Sequence, residues 1–127
     1  MKNPDWTTIK LNEGERVDDL ERCGYKIIQN PEKFCFGIDA VLLSGFANVK
    51  KGEKALDLCS GNGIIPILLA GKYEGASFDG IEIQEDSVDL ANRSIVANGT
   101  QVEHTLSIFF FHNITLIKCF IKHINHQ

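Results

Sequence analysis

The sequence has no closely spaced cysteine pair, no excess of basic charge and no apolar run long enough to cross a bilayer. Cys23, Cys35, Cys59 and Cys119 stand far apart with no C-x-x-C among them. Spacing alone therefore builds no compact zinc site, and a chain of 127 residues does not need disulfides. Thirteen Lys and Arg face 17 Asp and Glu, a net charge of −4. That balance argues against a broad basic surface for nucleic acid and leaves room only for a local basic groove. The most apolar stretch, Thr105 to Ile121, is interrupted by Ser107, His112, Asn113, Thr115 and Lys118. It is too short and too polar to span a membrane. The opening Met1-Lys2-Asn3-Pro4-Asp5-Trp6 has no apolar core and does not read as a signal peptide. These absences lead us to expect a cytoplasmic protein with free thiols, one domain and no membrane partner.

Acid is also scarce at the C-terminal end. Residues 1–100 carry 11 basic and 16 acidic side chains, whereas residues 101–127 carry two and one. All four histidines (His104, His112, His123, His126) fall in that last segment, with four of the eight phenylalanines. We therefore expect three segments: an N-terminal extension and closing segment over 1–52, a core over 53–100 and a divergent tail over 101–127. His123 and His126 could share a helix face, but they end the chain where fraying opposes a preorganised site, so no metal is expected. Phe109-Phe110-Phe111 could stack bases, yet as a β-prone run it reads as a buried strand.

Before residue 100, strands and helices alternate. Thr7 to Leu11 and Tyr25 to Gln29 are short β-prone runs bounded by turn residues. Between them Glu15 to Glu21 predicts a short helix. Asp39 is placed to cap a helix with an apolar face of Ala40, Leu43, Phe46 and Ala47. Lys54 to Leu58 reads as a strand, and Ile64 to Ala70 as an apolar helix that tolerates Pro66 because first-turn amides have no intrahelical partner to lose. Ser77 to Ile83 is the next strand. Glu85 to Ala97 is an amphipathic helix with acids in its first turn, and Leu106 to Phe111 a further strand. Short β-α-β-α turns imply parallel strands with right-handed crossovers, an α/β fold.

The chemistry concentrates in Leu56-Asp57-Leu58-Cys59-Ser60-Gly61-Asn62-Gly63, where a strand ends, two glycines follow and a helix begins. Glycine permits the tight turn and lets a ligand touch backbone. The helix start presents free amides at the mouth of the sheet, where open α/β folds bind ligands. Glu82, nineteen residues past Gly63, can accept hydrogen bonds from ribose hydroxyls. A nucleoside cofactor is therefore expected. A dinucleotide fits less well, because Pro66 occupies the place of the third small residue, and no Gly-Lys-Ser/Thr marks a phosphate loop. Taken by themselves, the two glycines are equally a tight strand-to-helix turn.

Leu56 to Leu69 with Gly80-Ile81-Glu82-Ile83-Gln84 resembles the cofactor loop and ribose strand of S-adenosylmethionine-dependent methyltransferases. Upstream, Glu15 to Leu20, Ile27 to Pro31 and Phe34-Cys35-Phe36-Gly37-Ile38-Asp39-Ala40-Val41-Leu42-Leu43 are similar to the bacterial adenine-N6 methyltransferases that modify valine tRNA. The resemblance covers roughly residues 13–100. It implies a Rossmann-like sheet, here its N-terminal half with a short N-terminal extension, and methyl transfer to an exocyclic adenine amine in tRNA or another RNA. On that model Gly61 and Gly63, with Ser60 and Asn62 between and beside them, meet the methionine end of the cofactor. Asp57 anchors its amino group, Glu82 its ribose, and Ile83 packs on its adenine. Phe36, Gly37 and Asp39 belong to a segment that closes over it; without the resemblance, Asp39 is equally a helix cap and Phe34 and Phe36 equally core.

The family's catalytic Asn-Pro-Pro-Tyr is missing: the three prolines are Pro4, Pro31 and Pro66. The expectation is thus the N-terminal portion of a methyltransferase, truncated or shifted in frame after about residue 100, that binds S-adenosylmethionine without competent catalysis and with no catalytic residue assigned. A second reading is a non-catalytic module that binds S-adenosylmethionine or its product, or that assembles with another chain to complete the sheet, for example as a homodimer through its Leu106–Phe111 edge. A third, an NAD-dependent oxidoreductase, is opposed by Pro66.

Overall fold

The computed structural model describes residues 5–33, 35–99, 102 and 105–111. It opens with an antiparallel hairpin, β1 (Arg16–Arg22) and β2 (Tyr25–Gln29). Helix α1 (Ile38–Phe46) follows, then β3 (Lys54–Leu58), α2 (Ile64–Lys72), β4 (Ser77–Glu82), α3 (Glu85–Ala97) and β5 (Leu106–Phe110). Strands β3, β4 and β5 form one parallel sheet in that order, with Asp57 opposite Gly80 and Gly80 opposite Ile108. The α/β expectation holds, and six of the expected elements lie within a residue or two of their expected bounds.

Two expectations fail at the N-terminal end. Residues 15–21 are not a helix: all but the first lie in β1. Val17 and Leu20 stand three apart and mimic a helical stripe, but the strand's register is broken between Asp19 and Arg22. Such an irregularity resets the alternation of faces. The hairpin closes through Cys23 (φ 53°) and Gly24 (φ 71°), the pair of positive φ angles that a two-residue turn with the right twist requires. Thr7 to Leu11 forms no strand. Asp5 there accepts hydrogen bonds from both the amide and the hydroxyl of Thr7, at 3.0 and 2.7 Å, and bends the chain.

The hairpin is bound to α3 by side chains that substitute for a third strand. Ser94 Oγ accepts from the amide of Ile28 at 2.9 Å. Asn98 accepts from the amide of Lys26 at 2.9 Å and donates to its carbonyl at 2.8 Å. Arg93 forks onto Glu15 at 2.7 and 2.9 Å. Backbone groups on the outer side of β2 are thereby satisfied although, among the described residues, no strand lies beside them.

The core fills the space between α2, α3, β4 and the hairpin: Ile27, Ile64, Ile67, Leu68, Phe78, Ala91, Ile95, Leu106 and Ile108 are all buried. Pro66 is buried in the first turn of α2, as expected. Helix α1 departs from expectation. Asp39 sits in its first turn and Gly37 at its cap, without a side-chain hydrogen bond. Of the expected apolar face, Ala40 and Ala47 pack against the core, but Leu43 is 54% and Phe46 88% exposed. The one buried residue of α1 is Ser44, whose hydroxyl donates to the Val41 carbonyl at 2.8 Å. The end of α1 is held by α2, where Lys72 Nζ donates to the Gly45 carbonyl at 3.0 Å and Tyr73 OH to that of Ala47 at 2.6 Å. The phenylalanine run is not a buried strand either. Phe109 and Phe110 in β5 are 38% and 41% exposed, because β5 lies at the sheet's margin among the described residues. His104, His112, His123, His126 and Phe34 lie outside the described residues.

Candidate functional site

The sheet's C-terminal end positions the site. After Leu58 the chain turns through Cys59 (φ 59°), Gly61 (φ 56°) and Gly63 (φ 84°) before entering α2. Left-handed backbone at three of five residues folds the loop back over β4. Ser60 donates its amide to the Ile81 carbonyl at 3.0 Å, and its side chain lies so close to Gly80 that a Cβ there would sit 2.7 Å from Ser60 Oγ and 2.3 Å from Ile108 Cδ1. A side chain at Gly80 would force Ser60 and Ile108 to move.

The two loop glycines do different things. A Cβ on Gly61 would meet nothing within 4 Å, so its face is open to a ligand. A Cβ on Gly63 would lie 3.2 Å from the Ala91 Cβ of α3. Its missing side chain serves the approach of two helices, and Gly63 does not line the cavity described next.

Six of the expected residues meet in one cavity of about 300 Å³: Phe36, Gly37 and Asp39 from the segment entering α1, and Ser60, Gly61 and Asn62 from the loop. Sequence reasoning missed Cys59, Ile64 and Ile65 in its wall, together with Ala40 and Leu43. Asp39 lies against the backbone of Gly37, where a Cβ would stand 2.7 Å from its Oδ1. Asn62 also borders a larger cavity of about 600 Å³ beside the start of α3, whose wall includes Lys33, Gln84 and Ser87.

Glu82 and Asp57 stand beside this loop. Glu82 is buried at the end of β4. Its Oε2 accepts from the Gly61 amide at 2.7 Å, and its Oε1 from the Ile83 and Gln84 amides, both at 2.8 Å. A carboxylate offers about four acceptor positions, and three are used. Oε2 keeps the spare one, so Glu82 can take a ribose hydroxyl directly. The same bonds make Glu82 a strut between β4 and the loop. Ile83 is 59% exposed just past the strand, an apolar side chain open to solvent that is not part of the smaller cavity's wall.

Asp57, at the end of β3, carries a buried Oδ2 with no hydrogen-bond partner among the described residues. Burial, and secondarily the negative charge of Glu82, push its carboxyl up to about 6. Ser60 Oγ and Asn62 Oδ1 are likewise buried without partners. Unsatisfied buried polar atoms are costly. Three of them beside one loop fit a polar ligand group, and an acidic acceptor among them fits an ammonium. The residues present therefore suit the amino-acid end of S-adenosylmethionine. Among the described residues no cluster of three His, Cys, Asp or Glu could hold a metal ion, and no helix is long and apolar enough to cross a membrane.

Known proteins resemble this arrangement. The family model for the methyltransferase small domain matches residues 25–112. The tRNA1(Val) (adenine(37)-N6)-methyltransferase of Erwinia tasmaniensis is 30% identical over 89 residues, covering 58% of this chain and 36% of its own length. The ribosomal protein uL3 glutamine methyltransferase of Bordetella pertussis is 35% identical over 54 residues, covering 42% of this chain and 18% of its own. The chain thus spans well under half the length of these curated relatives. Among solved structures, the P. horikoshii TYW2 in complex with MeSAdo superposes with a TM-score of 0.61 at 19% identity, over 80% of this chain and 38% of that one.

Proposed function

The chain belongs to the methyltransferase small domain family, whose cofactor is S-adenosylmethionine, and we propose that it carries the cofactor half of an enzyme methylating an exocyclic adenine amine in tRNA or another RNA. The observation that supports this reading most is the single cavity shared by Phe36, Gly37 and Asp39 with Ser60, Gly61 and Asn62. Two segments more than twenty residues apart converge where the resemblance requires them to. S-adenosylmethionine supplies an electrophilic methyl on a sulfonium. Asp57 takes its ammonium, and the open face of Gly61 admits its methionine chain. Glu82 Oε2 takes a ribose hydroxyl, and the exposed Ile83 covers the adenine. The choice of RNA rests on the upstream segment and on the tRNA-modifying relative, whose match covers more of this chain than that of the glutamine-modifying one. The sequence contains no Asn-Pro-Pro-Tyr, so the 127-residue chain binds cofactor without transferring the methyl. It works in the cytoplasm, and copies associate through the Leu106–Phe111 segment.

Calorimetric titration with S-adenosylmethionine, beside a Glu82→Ala control, tests the reading. Saturable binding lost in the control is expected. A folded chain that binds nothing overturns the cofactor site. Methyl incorporation into tRNA by the isolated chain overturns the claim of incompetence, and growth of the sedimentation coefficient with concentration checks the self-association.

A further inference from the structure

Gln29 is the last residue of β2, only 2% exposed, and neither the cofactor loop nor the closing segment contains it. It nevertheless touches both. Its Oε1 accepts from the Phe36 amide at 3.0 Å and from Asn62 Nδ2 at 3.4 Å, while its Nε2 donates to Asp18 Oδ2 in β1. Each end of this amide is fixed by what it faces. A backbone amide can only donate, so the atom toward Phe36 is oxygen. An ionised carboxylate can only accept, so the atom toward Asp18 is nitrogen. With Gln29 oriented, the Asn62 atom facing it must be nitrogen, and Asn62 Oδ1 is left buried, unpartnered and available as an acceptor. A hairpin strand thus dictates the polarity of the cavity wall more than thirty residues later.

We propose that Gln29 is a positioning residue of the cofactor pocket: held by Asp18, it fixes Phe36 against the loop and presents Asn62 Oδ1 to a hydrogen-bond donor of the ligand. This inference rests on the cofactor reading above for the identity of the ligand, but not for the relay itself. Among the described residues, no other side chain bonds both the closing segment and the loop. The ligand group that suits Asn62 Oδ1 carries N–H, and the ammonium of an amino acid fits it.

The test has an arm without ligand and an arm with it, both on the 127-residue chain. In the first, amide hydrogen exchange is followed by NMR in Gln29→Met and Asp18→Ala. The Phe36 amide is expected to exchange at least about tenfold faster in Gln29→Met, the size of one lost hydrogen bond. A smaller acceleration is expected in Asp18→Ala, where the amide is free to turn over. The Ile28 amide, bonded to Ser94, reports that the hairpin is still docked. In Gln29→Glu, protection of Phe36 relative to wild type is expected to recover as pH falls from about 7 to about 5, because the protonated acid again both donates and accepts. A role in packing alone would show no such recovery. Wild-type exchange at Phe36 in Gln29→Met, with Ile28 protected, overturns the relay. If Gln29→Met does not fold, Asp18→Ala decides, and an unchanged Phe36 rate there overturns it equally. In the second arm S-adenosylhomocysteine is titrated, and about tenfold weaker binding to the Gln29→Met variant is expected. Equal affinity of wild type and variant overturns the link to the pocket. No binding to either, with the relay intact by exchange, instead condemns the cofactor reading.

Discussion

Helices α1 and α2 are each nine residues long and comparably apolar, IDAVLLSGF against IIPILLAGK, yet they meet opposite fates. Six residues of α2 are buried, and in α1 only Ser44 is. The difference comes from topology and not from composition. Helix α2 is the crossover between the paired parallel strands β3 and β4, so it must lie on the sheet, and α3 and the hairpin close over it. Helix α1 precedes the sheet and leans on α2 through small residues, leaving Ile38, Leu42, Leu43 and Phe46 largely in water. Hydrophobicity states what a helix could bury, and the connections of the chain decide what it does.

The largest expected effect breaks the buried side of this comparison. Ile67→Ala removes a fully buried side chain at the centre of α2. Loss of transfer energy plus the residual cavity should cost about 2–5 kcal/mol, measured by denaturant unfolding. A loss below about 1 kcal/mol would mean that the α2 core is loosely packed. Next in size is Glu82→Ala, which strips three backbone amides of their acceptor. About 1–3 kcal/mol of stability should go with it, and the Gly61 amide should lose its exchange protection. Glu82→Ala as stable as wild type would show that water replaces the strut without cost.

The same contrast explains what could be read in advance. Turn chemistry and period located β3, α2, β4 and α3, because in each the local pattern and the tertiary demand agree. The loop from Cys59 to Gly63 was legible because Gly61 and Gly63 mark left-handed backbone. What escaped depended on partners distant in sequence. The helix expected over 15–21 became a strand because Tyr25–Gln29 pairs with it, and Ser94 and Asn98 dock that pair onto α3. The expected apolar face of α1 failed because burial needs an opposing element. Gln29 carries no motif: its importance comes from three contacts across 11, 7 and 33 residues of chain. Even at the site, two glycines identical in sequence split by surroundings that only the fold supplies, open space for Gly61 and Ala91 for Gly63.

A smaller effect, confined to a pH window, sharpens the electrostatic side. Burial pushes the Asp57 carboxyl of the folded chain up to about 6, above its ordinary value of 3.8. The native state then holds more protons than the unfolded one between those two values. Stability from this group is therefore present at the acid end, falls as pH rises through about 4 to 6, and is level above. Asp57→Asn should flatten that slope in thermal unfolding. Cofactor affinity runs the other way, because an ammonium needs the ionised carboxylate. Binding of S-adenosylhomocysteine should weaken by about tenfold per unit as pH drops below about 6, and Asp57→Asn should remove the dependence. Affinity that is flat from pH 5 to 7 in wild type would place the ammonium elsewhere.

The smallest effect is expected where the apolar surface is largest. Phe46 is 88% and Leu42 65% exposed in α1, so Phe46 meets nearly as much water folded as unfolded, and Leu42 most of it. The transfer energy that makes Ile67 indispensable is then almost absent, and Ser at either place should change unfolding free energy by no more than about 0.5 kcal/mol. Helix propensity works slightly in the same direction, since Phe and Ser rank close together in a helix interior. The measurement is chemical denaturation of Phe46→Ser and Leu42→Ser at two protein concentrations. An unchanged midpoint at both confirms that α1 owes its place to Ala40, Ser44 and Ala47 on α2, and to Lys72 and Tyr73 at its end. A loss above about 1 kcal/mol that grows with concentration would mean that the exposed face of α1 is covered by another copy in solution. The opposite fates of the two helices would then hold only for the isolated chain.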